Sequence, residues 1–206
     1  MITNLFPSAV YQSSLVPRGA AAINREIGVE AYQIKKVDLQ GRQWSRKNYS
    51  GGYTSYSSMD QLHRFSTTFE DLEKQIRRHV FKYVKALELD VDPRELKMST
   101  CWINIMSRKV THAMHLHPLS VISGTYYVQT PKGGGSLKLE DPRLDHMMAA
   151  PQRKVSGRPE NQRHYHVKPK AGDVVLFESW MRHEVPPNQS TEDRISVSFN
   201  YDWVGR

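Results

Sequence analysis

Arg194-Ile195-Ser196-Val197-Ser198-Phe199-Asn200-Tyr201 is the stretch whose reading decides the fold. Ile195, Val197, Phe199 and Tyr201 alternate with Ser196, Ser198 and Asn200. That is the two-residue period of a strand with one apolar and one polar face. Upstream, residues 174–177 form a short apolar strand after the turn Lys170-Ala171-Gly172-Asp173, and residues 136–139 follow the turn Gly133-Gly134-Gly135. Residues 120–130 carry Val121, Ile122, Tyr126, Tyr127 and Val128, and residues 97–106 alternate around Trp102, Ile103 and Ile105. Short strands separated by turn signals predict a β-sandwich or barrel.

The first 95 residues read differently. Residues 68–88 predict a helix: Phe69, Leu72, Ile76, Val80, Tyr83, Val84 and Leu87 recur at helical spacing, Thr67 or Thr68 can cap it, and Glu70 and Asp71 favour its N-terminal dipole. Residues 1–50 read as short apolar runs between turns, with Ala9-Val10-Tyr11 as a first strand and Gly41, Asn48, Gly51 and Gly52 as turn markers. Residues 51–58 read as a polar, aromatic surface loop. The expectation is a mainly β chain with N-terminal helical support (α+β). It forms one domain over 1–206, with 1–95 as support and 96–206 as core. Residues 143–168 are polar, basic and aperiodic, and read as an insertion, either a lid or a disordered segment.

The candidate chemistry lies in histidines. His115 and His117 stand two apart, on one side of a strand, whereas His112 is out of step with them. A lone His-x-His is more often a pair of surface side chains. Here His183 lies past a second strand, and Arg194 follows eleven positions later with Ser196 on the same face. Two ligands from one segment and a third from a distant strand hold a metal on one face and leave the other open. A guanidinium fork deep in the barrel suits a carboxylate.

These stretches resemble the Fe(II)/2-oxoglutarate oxygenase superfamily in its prolyl-hydroxylase-like branch, and within it an uncharacterised bacterial and phage group. The likeness rests on Trp102-Ile103-Asn104, His115-Leu116-His117-Pro118, Ser123-Gly124-Thr125-Tyr126-Tyr127-Val128, Asp141-Pro142-Arg143, Lys170-Ala171-Gly172-Asp173, His183-Glu184-Val185 and Arg194 to Asn200. It covers about half the chain strongly, and Leu5-Phe6-Pro7 fits more weakly. The resemblance implies a double-stranded β-helix (a cupin-like jelly roll) that hydroxylates a C–H bond, with Fe(II), 2-oxoglutarate and O₂, releasing succinate and CO₂. His115 and His183 match the histidine ligands, and Arg194 the keto-acid anchor. Ser196, Tyr126 and Asn104 fall beside the keto-acid. Asp141, Arg143, Tyr127 and Trp180 fall on the substrate side, although Asp141-Pro142 equally makes a turn. His117 stands where the superfamily has Asp or Glu. It binds directly, or swings away for a water, or yields to Asp141 or Glu184; direct binding is the favoured reading. The rival readings are a three-His cupin-type dioxygenase or isomerase without a keto-acid, and a non-catalytic β-barrel binding protein.

Composition narrows the rest. The net charge of +8 is spread along the chain with an excess near 143–170, and there is no helix-turn-helix, zinc-finger or RNA-binding signature, so a solvated basic surface is expected rather than a nucleic-acid site. Cys101, the single cysteine, reads as a small buried hydrophobe. No apolar run approaches the ~18 residues of a membrane span, and the start lacks a basic and then apolar leader. A cytoplasmic protein acting on a small-molecule or peptidyl substrate is expected. Trp180, Tyr201 and Trp203 leave open either a homo-oligomer interface or core packing. Leu15-Val16-Pro17-Arg18-Gly19 is similar to an engineered protease site but reads as native sequence.

Overall fold

The computed structural model describes residues 1–16 and 20–205. Pro17-Arg18-Gly19, the end of the protease-like stretch, lie outside the described residues. In chain order the elements are β1 (Val10–Ser14), α1 (Ala20–Val37), α2 (Leu39–Asn48), β2 (Tyr53–Thr54), α3 (Leu62–Phe65), α4 (Thr67–Ala86) and β3 (Leu96–Met106). There follow β4 (His112–His115), β5 (Ile122–Gln129), β6 (Leu137–Glu140), β7 (His164–Val167), β8 (Asp173–Glu178), β9 (His183–Val185) and β10 (Arg194–Trp203).

The strands make two antiparallel sheets. The larger has the order β1-β8-β5-β10-β3-β2 and the smaller β4-β9-β6-β7. Alternation divides the larger sheet between two cores. Ile103, Ile105, Tyr126, Val174, Leu176, Val197 and Phe199 face the helices, packing with Ile27, Ala31, Phe69, Leu72, Ile76 and Val80. Met106, Tyr127, Val175 and Phe177 face the smaller sheet and pack with Leu137, Leu139, Met181 and Val185. The architecture is the expected mainly β double-stranded β-helix with helical support.

Close packing imposes one requirement on β5. A Cβ on Gly124 would lie 2.5 Å from Phe199 and 2.7 Å from Leu176, so the helix-facing side of the sheet has room only for hydrogen there. At Gly172, φ of +92° makes the predicted turn into β8 a place for glycine.

The N-terminal third departs from the sequence reading. Residues 20–48 form two helices, not strands and turns. Ile27, Ala31 and Ile34 provide α1 with a narrow buried stripe at four- and three-residue spacing. Gly41 is inside α2: its amide donates to the Asp38 side chain, which caps the helix, and a Cβ there would strike the Asp38 carboxylate. Asp38 is buried and accepts hydrogen bonds from Gly41 N (2.8 Å), Tyr53 Oη (2.8 Å) and Ser58 Oγ (2.6 Å). That carboxylate anchors residues 51–58, and Tyr53, Thr54 and Ser55 are buried rather than on a surface loop. The α4 helix has Ser66 as its N-cap residue, with no side-chain hydrogen bond, instead of a Thr67 or Thr68 cap.

One further reading changes, and one left open is decided. The segment 143–168 is aperiodic only as far as residue 163. His164–Val167 is the edge strand of the smaller sheet, paired with β6, and Pro159–Asn161 is a 3-10 turn. Tyr201 is fully buried and the Trp203 indole donates to Glu95 (2.9 Å), so these two pack within the chain, while Trp180 is 45% exposed. Cys101 is buried as expected, and burial pushes its thiol pKa up.

His79 ties α4 to the first strand. Its Nε2–H donates to Leu15 O (3.0 Å), and its Nδ1 accepts from Tyr11 Oη (2.8 Å). Burial lowers its pKa below the ordinary value. The unfolded chain therefore takes up the proton first. The stabilisation is complete above pH ~6.5 and is lost as pH falls below it. We expect urea midpoints to fall between pH 7 and pH 5, with a shallower slope in His79→Gln. An unchanged slope would assign the acid sensitivity to other groups.

Candidate metal and keto-acid site

The site lies between the two sheets, on the polar face of β10. Arg194, Ser196 and Ser198 line it from β10, Asn104 and Trp102 from β3, and Thr125 and Tyr127 from β5. The opposite wall carries His112, His115, His117 and His183. Ser196, on the polar face of β10, is buried not because it is apolar but because it borders this pocket, and Ser198 beside it is half-buried.

His115, His117 and His183 each offer a ring nitrogen within 4.8 Å of the others. Strand pairing brings His115 opposite His183. Each Nδ1 is already engaged: His115 with Ala113 O (2.7 Å), His183 with Met181 O (2.9 Å) and His117 with Asn200 Oδ1 (2.5 Å). A main-chain oxygen can only accept, so His115 and His183 carry the hydrogen on Nδ1 and keep the Nε2 lone pair; the Asn200 amide oxygen, as it is oriented, favours the same tautomer for His117. Burial lowers the pKa of all three, that of His183 to about 3, so they remain neutral ligands at ordinary pH.

At the other end of the pocket Arg194 is 2% exposed. Its guanidinium contacts Ser196 Oγ (3.3 Å) and Met106 Sδ (3.4 Å), lies over the Tyr127 ring at 5.1 Å, and leaves Nε without a partner. Among the described residues no carboxylate pairs with it. The Tyr127 hydroxyl and Asn104 Oδ1 are also buried without a well-aligned partner, and Asn104 Nδ2 donates to Ser198 (3.0 Å). A buried cation and unsatisfied polar atoms are costly unless an anion completes them. The pocket therefore fits both groups in question, a divalent metal at the histidines and a carboxylate at Arg194.

Not every expected residue arrives here. Tyr126 points to the helix-side core, where its hydroxyl donates to Asn24 (2.5 Å), and Tyr127 takes the place beside Arg194. Adjacent strand residues face opposite ways, so only one tyrosine can line the pocket. Asp141 and Arg143 pair with each other (2.8 Å) and line a separate cleft of about 750 Å³ with Met181 and Leu139. Glu184 bonds Lys138 (2.7 Å). Neither Asp141 nor Glu184 belongs to the three-histidine cluster. His112 does line the pocket. Four β4 residues span three of β9, a bulge that turns His112 onto the side of His115, and their rings stack at 4.7 Å. The sequence reading also missed Tyr49. Its ring meets His112 at 5.3 Å, and its hydroxyl is buried without a partner. Nothing local marks Tyr49, which arrives on the end of α2.

Residues 100–200 match the family model "Putative 2OG-Fe(II) oxygenase". Among solved structures, a Pseudomonas putida prolyl-4-hydroxylase superposes with TM-score 0.61 at 16% identity, covering 95% of this chain and 92% of that one. The epimerase SnoN in complex with Fe3+, alpha ketoglutarate and nogalamycin RO gives TM-score 0.65 at 13% identity, covering 95% and 79%. HygX from Streptomyces hygroscopicus, with nickel and 2-oxoglutarate bound, gives 0.59 at 12%, covering 95% and 83%. At these identities the likeness carries the fold. No curated protein sequence matches the chain. Residues 100–200, just under half of the chain, are thus those of a 2OG-Fe(II) oxygenase, and the fold and the three-histidine group agree with an enzyme that uses iron and 2-oxoglutarate.

Proposed function

We propose that His115, His117 and His183 hold the Fe(II), and that Arg194, with Ser196, Asn104 and Tyr127, binds the far carboxylate of 2-oxoglutarate. The observation that carries this reading is the pairing of three clustered imidazoles with a buried, unpaired guanidinium in one pocket. When bound, iron and keto-acid supply oxidative decarboxylation coupled to attack on a C–H bond. The chain's own residues position and shield. The histidines present neutral lone pairs, and Arg194 sets the depth and direction of the keto-acid. Phe177 and Leu137 exclude water from the inner wall, and Trp102, with Tyr56 edge-on at 5.0 Å, covers the wall near His117.

We read the outcome as hydroxylation of a small-molecule or peptidyl substrate. The cleft bounded by Asp141 and Arg143 adjoins His183 through Met181 and Leu139, which supports a substrate-side role for that pair. Trp180 is on the turn between Ser179 and Met181, at the edge of the same region. Residues 1–206 are read as one oxygenase domain, because the helix-side core draws on both the N-terminal third and the strands. The place in the prolyl-hydroxylase-like branch rests on the His-x-His-Pro and Ser-Gly-x-Tyr-Tyr motifs. A cytoplasmic setting is proposed; no helix among the described residues is long and apolar enough to cross a membrane.

The test is anaerobic titration with Fe(II) and then 2-oxoglutarate, monitored in the visible. A weak charge-transfer band on adding the keto-acid is expected. Iron binding with no band at saturating keto-acid would overturn the keto-acid assignment.

A further inference from the structure

Of the three clustered histidines, two take their Nδ1 acceptor from the main chain, Ala113 O and Met181 O. His117 alone takes it from a side chain. Asn200 Oδ1 lies 2.5 Å from His117 Nδ1, and Ser123 Oγ lies 3.0 Å from the same nitrogen. The network continues inward. Ser123 Oγ donates to Asn200 Oδ1 (2.8 Å), Ser179 Oγ is 2.8 Å from Ser123 Oγ, and Asn200 Nδ2 donates to Thr100 Oγ1 (2.9 Å). Ser123, Ser179 and Asn200 are all buried.

The hydrogens in this cluster can be counted. Asn200 Nδ2 donates to Thr100, and in this orientation its oxygen faces His117. Ser123 donates to that oxygen, which leaves Ser179 to donate to Ser123. Every hydrogen then has an acceptor if His117 carries its own on Nδ1. With the other tautomer, the bare Nδ1 lone pair would face the carbonyl lone pairs of Asn200 at contact distance, and only turning the Asn200 amide over, with Thr100 then donating to its oxygen, would relieve the repulsion.

From this we infer that Asn200, itself oriented by Thr100 and Ser123, is a positioning residue that holds His117 in the Nδ1–H tautomer and so makes it a third metal ligand in place of a carboxylate. The inference rests on the three-histidine reading above. It also explains how a residue with two possible tautomers can substitute for one that always accepts. An aspartate needs no outside help to present a lone pair, whereas an imidazole does. Outer partners of this kind are typically worth 10–100-fold in metal affinity.

The test has a metal-free and a metal-bound arm. In the apoprotein at pH 7.5, the ¹⁵N shifts of the His117 ring should show hydrogen on Nδ1; finding it on Nε2 overturns the inference without any variant. In the second arm, Co(II) dissociation constants are measured by chelator competition, with the ligand-field spectrum, for the parent, Asn200→Leu and Asn200→Asp. Asn200→Leu should bind Co(II) ~10–100-fold more weakly, with an altered spectrum and a far-UV dichroism like the parent's. Asn200→Asp, which keeps an acceptor against Nδ1–H, should restore affinity to the parent level or above. Parent-like binding by Asn200→Leu, or an Asn200→Asp as weak as Asn200→Leu, overturns the positioning role. A parent that binds no Co(II) overturns the metal reading itself, and the two failures are thereby distinguished.

Discussion

Arg194→Met is expected to weaken 2-oxoglutarate binding by ~10²–10³-fold while leaving Fe(II) or Co(II) affinity within about threefold. Arg194 is 2% exposed, and its contacts are a serine hydroxyl, a thioether and an aromatic face. None neutralises it. A buried cation held against such groups carries most of its desolvation cost into the apo state, and a carboxylate entering in a two-pronged pair relieves it. Removing one partner of a buried, hydrogen-bonded charge pair costs ~2–5 kcal/mol in binding. The same argument predicts an apo variant no less stable than the parent, because a methionine of similar volume removes an uncompensated charge from an apolar site. Calorimetric titration of the metal-loaded protein with 2-oxoglutarate, together with apo melting curves, checks both. Keto-acid binding within threefold of the parent would remove Arg194 from the site.

His183→Ala should lose metal affinity by ~10³-fold or more, since outer-shell partners alone are worth 10–100-fold and a direct ligand exceeds them. His183 is buried in the middle of the smaller sheet, edge-on to Phe177 at 4.7 Å, and is paired with His115 on one side and Leu139 on the other. Burial first, and then neighbouring His115, pushes its pKa down to about 3. The folded value lies below the unfolded one. The neutral, ligating form is therefore favoured by the fold, and its stabilisation is present above pH ~6.5 and is lost as pH falls toward 3. The parent should accordingly retain its metal on dialysis at pH 5.5, where exposed imidazoles would be mostly protonated. Metal content after dialysis at pH 7.5 and 5.5, measured in parent and variant, decides it. A His183→Ala protein that keeps its full metal content would place the centre elsewhere.

The legible part of this protein was the part with local grammar. Alternation from Ile195 to Tyr201 needs only the two-residue period of a strand, and the turn at Lys170–Asp173 needs only a glycine able to take positive φ. The α1 stripe of Ile27, Ala31 and Ile34 was also in the sequence, but three residues in eighteen, one of them alanine, make a faint periodic signal beside the strong one of α4. Gly41 misled for a definite reason: the residue that usually marks a turn here gives Asp38 room to cap a helix.

By itself the sequence determined the strand-rich core, the residue types fit to bind a metal and a carboxylate, and the order in which they occur, because all of these follow from side-chain chemistry and local period. The tertiary structure alone decided which face of each strand meets the pocket. Tyr127 lines it and Tyr126 does not because the helices cover one side of the larger sheet and the second sheet covers the other. His112 joins the histidine wall because β4 needs four residues to span three of β9, a count that belongs to the pair and not to either strand. Asn200 meets His117 across 83 positions. No spacing rule reaches that far, since long-range contacts are set by how sheets pack and not by the period of either segment.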